Sequence, residues 1–150
     1  MTVIPEARER FRRKLATYLR VEAELGEEAA RAAALEGYSE RQKVEMGRFI
    51  DGCGLAEGFA AAVPFLAQMG IEMKAVDVSS NGTDAALEIL ATCPCLVASE
   101  ACGLERPSSV LCELDVEATR RAFPGLTVEI LSRRVAGACA CVFKYERSRR

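Results

Sequence analysis

Apolar residues recur every three or four positions along the first part of the chain, which is the spacing of one helix face. Residues 5–24 follow this spacing, and Pro5 is well suited to a first helical turn. Gly26 is expected to end that helix. Residues 27–35 are rich in Ala and Glu, so they predict a second helix that stops at Gly37.

Two further helices are expected before residue 70. Ser39, with Gln42 three residues later, matches a capping box, so a helix should begin there. Its apolar positions are Val44, Met46, Phe49 and Ile50. Residues 59–69 are apolar on almost every side, which predicts a buried helix, bent or shortened near Pro64.

The spacing changes to alternation after residue 70. Residues 71–80 predict a strand, and the Asn81-Gly82 pair that follows is a strong hairpin signal. Residues 84–93 are expected to form the partner strand, although the same residues would tolerate a helix, and Pro94 ends the pairing. One face of this partner strand would carry Leu87, Ile89, Ala91 and Cys93.

A second hairpin is expected at the end of the chain. A short helical segment at 96–101 and a longer helix that ends at Pro124-Gly125 precede two strands around Ala136-Gly137. On the last strand, a period of two places four side chains on one face: Cys139, Cys141, Phe143 and Tyr145. This order predicts an α+β fold, in which N-terminal helices pack on a mainly antiparallel sheet made of two β-hairpins separated by a helix.

Length and composition are those of an ordinary globular chain. The 150 residues are expected to form one domain over 1–150, with a helical part at about 5–70 and a cysteine-rich α+β part at about 71–147. A net charge of −2 and an aromatic content of 6% give no reason to expect a nucleic-acid or membrane partner. The expected partner is a small molecule, and a homodimer is left open. Without a signal peptide or a long apolar run, a cytoplasmic location is expected.

Cysteine is the residue whose distribution departs most from chance. Seven are present, and four of them lie within residues 92–115. In the cytosol these thiols should be reduced, so burial, catalysis or metal binding has to explain them. The chain has no histidine, which excludes Ser-His-Asp and Cys-His catalysis and any imidazole metal ligand. Any proton carrier must therefore be a carboxylate, Lys, Tyr or Cys.

Three cysteines from separate elements are expected to converge at one end of the sheet. Cys93 would end a strand, Cys112 would lie in the first turns of a helix, and Cys141 would lie in the final strand. A helix N-terminus lowers thiol pKa values, so Cys112 is the candidate thiolate nucleophile, with Cys93 as the other choice. Asp115 follows on the same helix face and is the candidate proton carrier.

Two arginines and an alternative metal site complete the candidate residues. Arg133 and Arg134 are expected to hold a substrate carboxylate. The cysteine spacing matches neither zinc ribbons nor ferredoxin clusters, yet three thiolates at Cys93, Cys112 and Cys141 would suit an iron–sulfur cluster or zinc. No cofactor is required if the protein is a hydrolase. Burial as small apolar residues is the simplest role for the other cysteines: Cys53, Cys95, Cys102 and Cys139.

The last 60 residues or so carry a Cys-Pro pair, then LC-x-x-D on a helix, then a hairpin that closes on Gly-x-x-x-Cys-x-Phe. In this outline the segment resembles the L-2-amino-thiazoline-4-carboxylic acid hydrolase family. The resemblance implies a cytosolic cysteine-dependent hydrolase that opens a thiazoline or amidine ring at a C–N or C–S bond. The residues to which it carries over are Cys93, Cys112, Asp115 and Cys141.

The same outline is similar, more loosely, to two kinds of binding domain. One is the three-cysteine sensor half of suf-operon iron–sulfur repressors, and the other is the 4-vinyl reductase domain, which implies a small hydrophobic ligand. Three hypotheses therefore stand: a cysteine hydrolase, which the first resemblance favours, a metal-binding sensor, and an apolar-ligand module. The third would use a cavity between the 59–69 helix and the sheet.

Overall fold

The first half of the chain is helical in the computed structural model, which describes residues 4–149. Its helices are α1 (Pro5–Leu25), α2 (Glu27–Leu35), α3 (Tyr38–Glu45), α4 (Gly47–Ile50) and α5 (Leu55–Gln68). Gly26 and Gly37 separate the first three, and both have positive φ values, 92° and 70°, that glycine adopts without strain. Pro64 lies inside α5, which continues to Gln68.

The second half supplies an antiparallel sheet and two more helices. The strands are β1 (Met73–Asp77), β2 (Thr83–Leu90), β3 (Thr127–Ser132) and β4 (Cys141–Ser148), in the order β1-β2-β4-β3. Between the two hairpins lie α6 (Pro94–Ala101) and α7 (Val110–Ala122), and a short 3-10 helix, Arg134–Ala136, joins β3 to β4. The predicted α+β fold with two hairpins is confirmed.

The first hairpin turns where the sequence predicts. Ser80 and Thr83 exchange both backbone hydrogen bonds, at 3.0 and 3.1 Å, around Asn81 and Gly82. Gly82 has a φ of 79°, a backbone conformation that residues other than glycine rarely adopt. The turn chemistry and the observed turn therefore agree.

The partner strand is shorter than predicted. β2 ends at Leu90, and Cys93 is the residue that precedes α6 instead of a strand residue. The face that meets the core carries Asp84, Ala86 and Leu90, which are buried, and Glu88, which is partly buried. Leu87 and Ile89, also partly buried, lie on the opposite face, so apolar residues occur on both sides of this strand.

Two smaller predictions were also wrong. Ser39 does not cap a helix, because α3 begins at Tyr38 after Gly37, and the Ser39 hydroxyl bonds to the neighbouring Glu40 carboxylate at 3.2 Å. Cys139 does not belong to the last strand, which begins at Cys141; Cys139 is exposed in the preceding loop. The rest of that predicted face is buried, namely Cys141, Phe143 and Tyr145.

The buried side chains form two clusters. The sheet cluster joins the inner face of the sheet to α4, α5 and α7, and its members are Ile50, Leu55, Phe59, Met73, Ala86, Leu90, Cys93, Cys95, Val116, Leu126, Val128, Cys141, Phe143 and Tyr145. The helical cluster joins α1 to α2, α6 and α7, and its members are Ala7, Phe11, Leu15, Tyr18, Ala30, Ala98, Val110 and Leu114. Leu111 packs against both clusters, so α7 connects them.

A charged pair fastens α5 to the sheet. The guanidinium of Arg147 on β4 donates to the Asp84 carboxylate on β2 at 2.9 Å, and also to the carbonyl oxygens of Ile50 at 3.0 Å and of Cys53. The Asp84 carboxylate in turn accepts the free N–H of Leu55, at 3.1 Å, in the first turn of α5. A strand residue thus satisfies a helix N-terminus.

Charged residues pair on the outward face of α1. On α1, the guanidinium of Arg12 meets the Glu9 carboxylate at 2.6 Å, which agrees with a solvated basic face. Within residues 4–149, no helix taken singly has the length and apolar character needed to cross a membrane. One pair bent by 114°, Glu27–Ile50 with Leu55–Gln68, meets the criterion by length and composition only.

Candidate functional site

A cavity of about 510 Å³ lies between the sheet cluster and the helical cluster. Its walls come from α1, α2, α3, α5 and α7 on the helical side and from β2 and β4 on the sheet side. Most of the lining is apolar, with Phe11, Phe59, Leu66, Leu111, Leu114 and Phe143 as examples. The expected cavity beside the buried helix therefore exists, and it extends as far as α1 and α2.

Asp115 reaches this cavity from α7 and is held by two donors from α3. The Tyr38 hydroxyl donates to Oδ1 at 2.8 Å, and the Gln42 amide donates to the same oxygen at 2.7 Å. Burial raises the pKa of the Asp115 carboxyl, although these hydrogen bonds and nearby Lys14 oppose the shift. The fixed partners orient Asp115 toward α3.

Lys14 and Arg41 bring positive charge to the same wall. The ammonium of Lys14 stands 5.3 Å from the centre of the Tyr38 ring, and the guanidinium of Arg41 stands 5.4 Å from it. Burial lowers the pKa of Lys14, while the charge of Asp115 raises it. Asp115 is thus a carboxyl with hydrogen-bond donors and a cation beside it.

Glu88 is a second carboxyl on the cavity wall, and it comes from the sheet. It receives a long hydrogen bond of 3.4 Å from the hydroxyl of Tyr145 on β4. Burial, with a further contribution from Asp115, raises the pKa of Glu88 to about 8. Burial likewise raises the pKa of Tyr145. At neutral pH, Glu88 is therefore mostly protonated.

Four cysteines meet at another part of the cavity lining. This thiol cluster consists of Cys93, Cys95, Cys112 and Cys141, so the structure brings together the three that the sequence singles out and adds Cys95. Cys93 is a neighbour of Cys141 and Cys95, and Cys95 is a neighbour of Cys112, so that each thiol affects the pKa of the next. The backbone N–H of Cys112 also points at the Cys95 sulfur, at 3.3 Å.

The four thiols differ in acidity. The neighbouring thiols of Cys141 and Cys95 lower the pKa of the Cys93 thiol, and the backbone N–H groups of Leu96 and Cys95 at the start of α6 add to this. The same thiol pairs raise the pKa values of Cys95 and Cys141. A single negative charge in the cluster would therefore settle on Cys93 first.

Cys112 also has a lowered pKa, for a reason other than the expected helix dipole. The largest cause is the neighbouring Cys95 thiol, and the guanidinium charge of Arg133 adds to it. Its thiol donates to the carbonyl oxygen of Ser109 at 3.0 Å. Cys112 and Asp115 both line the cavity, but the hydrogen bonds of Asp115 lead to α3 and not to the thiols.

The two candidate arginines are placed differently. Arg133 lines the cavity, and its guanidinium is 3.9 Å from the Glu113 carboxylate. Arg134 donates its side chain to the carbonyl oxygen of Ala91 at 2.7 Å, which fixes the segment between β2 and α6. The structure therefore brings Arg133, but not the side chain of Arg134, to the site.

The thiol cluster does not fit the expected metal site. Among residues 4–149, no group of three His, Cys, Asp or Glu side chains is arranged so that it could hold a metal ion. The remaining cysteines lie elsewhere: Cys53 donates to the Phe49 carbonyl at 2.9 Å, Cys102 donates to the Arg12 carbonyl at 3.5 Å, and Cys139 is exposed.

Several lining residues had no sequence signal that pointed to a site. Tyr38 and Gln42 meet Asp115 across 77 and 73 residues of chain, a separation that local patterns do not reveal. Glu88 looked like the polar side of a strand whose apolar side was assigned to Leu87 and Ile89. One sequence signal was available for Glu88: it lies two residues from both Ala86 and Leu90, so on a strand it shares their face.

Comparisons with known proteins indicate a shared fold. No protein-family model matches the chain, and no curated protein matches it. Among solved structures, it is similar to the phenol-responsive sensory domain of the transcription activator PoxR, in a crystal structure with phenol. The TM-score is 0.56 at 12% identity, over 98% of this chain and 76% of that chain, so the likeness shows a shared fold. It leaves the resemblance to the hydrolase family a prediction.

Proposed function

We propose that this protein binds a small, mainly apolar molecule in the cavity between its two clusters. The observation that carries the proposal is the cavity itself, since about 510 Å³ lies within the usual range of small-molecule sites. The apolar walls would bury the apolar part of a ligand, and a few polar groups would orient it. The charged or acidic groups on the lining are Arg10, Lys14, Arg41, Glu45, Glu88, Asp115 and Arg133.

The shared fold supports this choice over a catalytic one. The PoxR domain is described as a sensory domain and as crystallised with phenol. A small aromatic molecule is therefore the first class of ligand to test on this chain. Fold likeness by itself does not transmit function, so the cavity chemistry remains the main support.

The test is ligand-dependent thermal stability with a panel of small aromatic molecules, phenol included. A ligand at one hundred times its Kd should stabilise the fold by about 2.7 kcal/mol, which raises Tm by several degrees. Leu66→Trp places a larger side chain in the cavity and should abolish the stabilisation by ligand. Leu131→Trp, at a side chain that is 49% exposed, is the matched control and should respond like the wild type. Equal responses in both variants would contradict binding in the cavity.

A cysteine-dependent hydrolase is the second candidate. The supporting observation is that Cys93 and Cys112, which have lowered thiol pKa values, line the same cavity. A thiolate there would add to the amidine carbon while the C=N π electrons move to nitrogen, and Asp115 would protonate the nitrogen that leaves as the ring C–N bond breaks. Water would then attack the same carbon and displace the cysteine sulfur, which restores the thiol. The test is hydrolysis of L-2-amino-thiazoline-4-carboxylate: Cys93→Ser and Cys112→Ser should each reduce the rate, while Cys139→Ser should not. No turnover by the wild type would remove this candidate.

A further inference from the structure

We infer that, if the cavity is the binding site proposed above, its ligand carries a positively charged nitrogen group on an apolar body, and that the Glu88 carboxyl holds this group. The inference depends on the proposed function and adds the chemical class of the ligand. It also predicts that Glu88 determines the choice between an amine and a neutral molecule of the same size.

The first step of the argument is the position of Glu88. It lies on the inner face of β2, paired in register with Phe143 of β4, and it lines the cavity. Its hydrogen bond from Tyr145 is 3.4 Å long, at the outer limit of such bonds. A carboxyl in this setting has capacity left for a donor that enters the cavity.

The second step compares Glu88 with Asp115. Asp115 receives two short hydrogen bonds, from Tyr38 and Gln42, and has Lys14 beside it. Tyr145 from β4 and Asp115 from α7 are the residues that shift the pKa of Glu88, and neither supplies a positive charge. Arg10, Lys14, Arg41 and Arg133 line the same cavity, but none of the ion pairs within residues 4–149 includes Glu88. Of the two carboxyls, Glu88 is therefore the one without a counter-charge, and a cationic ligand would supply it.

The third step is the surroundings of the carboxyl. The rings of Phe59 and Tyr145, whose centres are 4.6 Å apart, line the cavity together with Glu88. Aromatic faces attract cations within about 6 Å, and a desolvated cation gains most from them. An ammonium or amidinium group beside Glu88 would thus meet a carboxylate and aromatic rings, while its apolar body fills the rest of the cavity.

The protonation state of Glu88 makes the inference measurable. Burial raises its pKa to about 8, so the carboxyl is mostly neutral at pH 7 in the empty cavity. A bound cation favours the ionised form, and binding should release close to one proton at about pH 7. A neutral ligand leaves the carboxyl protonated and should release none.

The experiment uses three probes of matched size: phenethylamine, phenethyl alcohol and phenylacetate. Isothermal calorimetry at about pH 7 in phosphate and in Tris gives affinity and proton release together. The amine should bind at least about tenfold more tightly than the alcohol and release close to one proton. Glu88→Gln should remove both the preference and the proton release while keeping alcohol binding. Glu129→Gln, at an exposed position of β3, should change neither.

The outcomes separate the inference from the proposed function. Alcohol binding as tight as amine binding, or tighter binding of phenylacetate, overturns the ligand class and leaves the cavity assignment standing. If none of the three probes binds and the aromatic panel gives no Leu66-dependent stabilisation, both proposals are overturned. If Glu88→Gln does not fold, the pH dependence of the wild type tests the inference. Amine affinity should rise by about twentyfold as pH increases from 6.5 to 8.5, because the ionised fraction of Glu88 rises by about that factor, and a flat profile overturns the inference.

Discussion

Arg147 should contribute more to the free energy of unfolding than any surface arginine in this chain. Its guanidinium bonds the Asp84 carboxylate at 2.9 Å and the Ile50 carbonyl at 3.0 Å, and it also reaches the Cys53 carbonyl. The Asp84 side chain is 12% exposed and that of Arg147 25%, so water screens the pair only weakly. Arg147→Met keeps the aliphatic length of the side chain and removes all of these bonds.

The expected loss is about 3 kcal/mol. Removing one partner of a buried pair usually costs about 3–5 kcal/mol, because the other charge is left desolvated. The lower end applies, since Asp84 retains its bond from the Leu55 N–H at 3.1 Å and Arg147 is partly solvated. Such a loss is a large part of the about 5–15 kcal/mol that stabilises an ordinary domain.

Urea denaturation followed by circular dichroism measures this loss. The midpoint should fall and the m-value should stay unchanged. Arg121→Met is the matched control, because Arg121 bonds Glu117 at 2.9 Å on the exposed face of α7, where pairs contribute about 0.3–0.5 kcal/mol. A difference below about 1 kcal/mol between the two variants would refute the reasoning, which rests on desolvation of Asp84.

Three further predictions concern packing, pH and thiol accessibility. Gly58→Ala should destabilise the fold by about 1–3 kcal/mol in urea denaturation, because the new methyl group would meet the backbone of α4 within 3.0 Å. Gly125→Ala, with open space around it, should be close to neutral, and equal effects would contradict the packing argument. The pKa of Glu88 is raised to about 8, so its stabilising effect is full below about pH 4.3 and is lost as pH rises through 8. Unfolding free energies measured across this window should fall less in Glu88→Gln than in the wild type, and parallel curves would refute this. Iodoacetamide labelling followed by mass spectrometry should modify exposed Cys139 first and Cys95, 1% exposed, last; the reverse order would contradict the placement of the thiol cluster.

Local sequence patterns predicted the helices and strands well where one residue type, such as glycine, determines the backbone conformation. Gly26, Gly37 and Gly82 stand where the chain takes positive φ values, and helix and strand boundaries follow them. Alternation also predicted the buried face of β4, because two of the residues that alternate with Phe143 and Tyr145, namely Lys144 and Glu146, are charged. These features depend on neighbours within a few residues.

The site itself depends on contacts that no local pattern contains. The concentration of cysteines was enough to predict that Cys93, Cys112 and Cys141 meet, and they do. Nothing near Tyr38 in the sequence indicates that its hydroxyl binds Asp115 on α7. The inward position of Glu88 was missed because a carboxyl is normally assigned to water; its burial is tolerated because the raised pKa keeps it mostly neutral at pH 7.

The cavity separates two packing units, with the helical cluster on one side and the sheet cluster on the other. Each unit has its own interior, and Leu111 is one of the few residues that belong to both. A ligand bound between them would contact both units, so local unfolding of either unit would lose part of its contact with the ligand. Amide hydrogen exchange would then slow together in α1 and in β4, although these segments lie at opposite ends of the polypeptide.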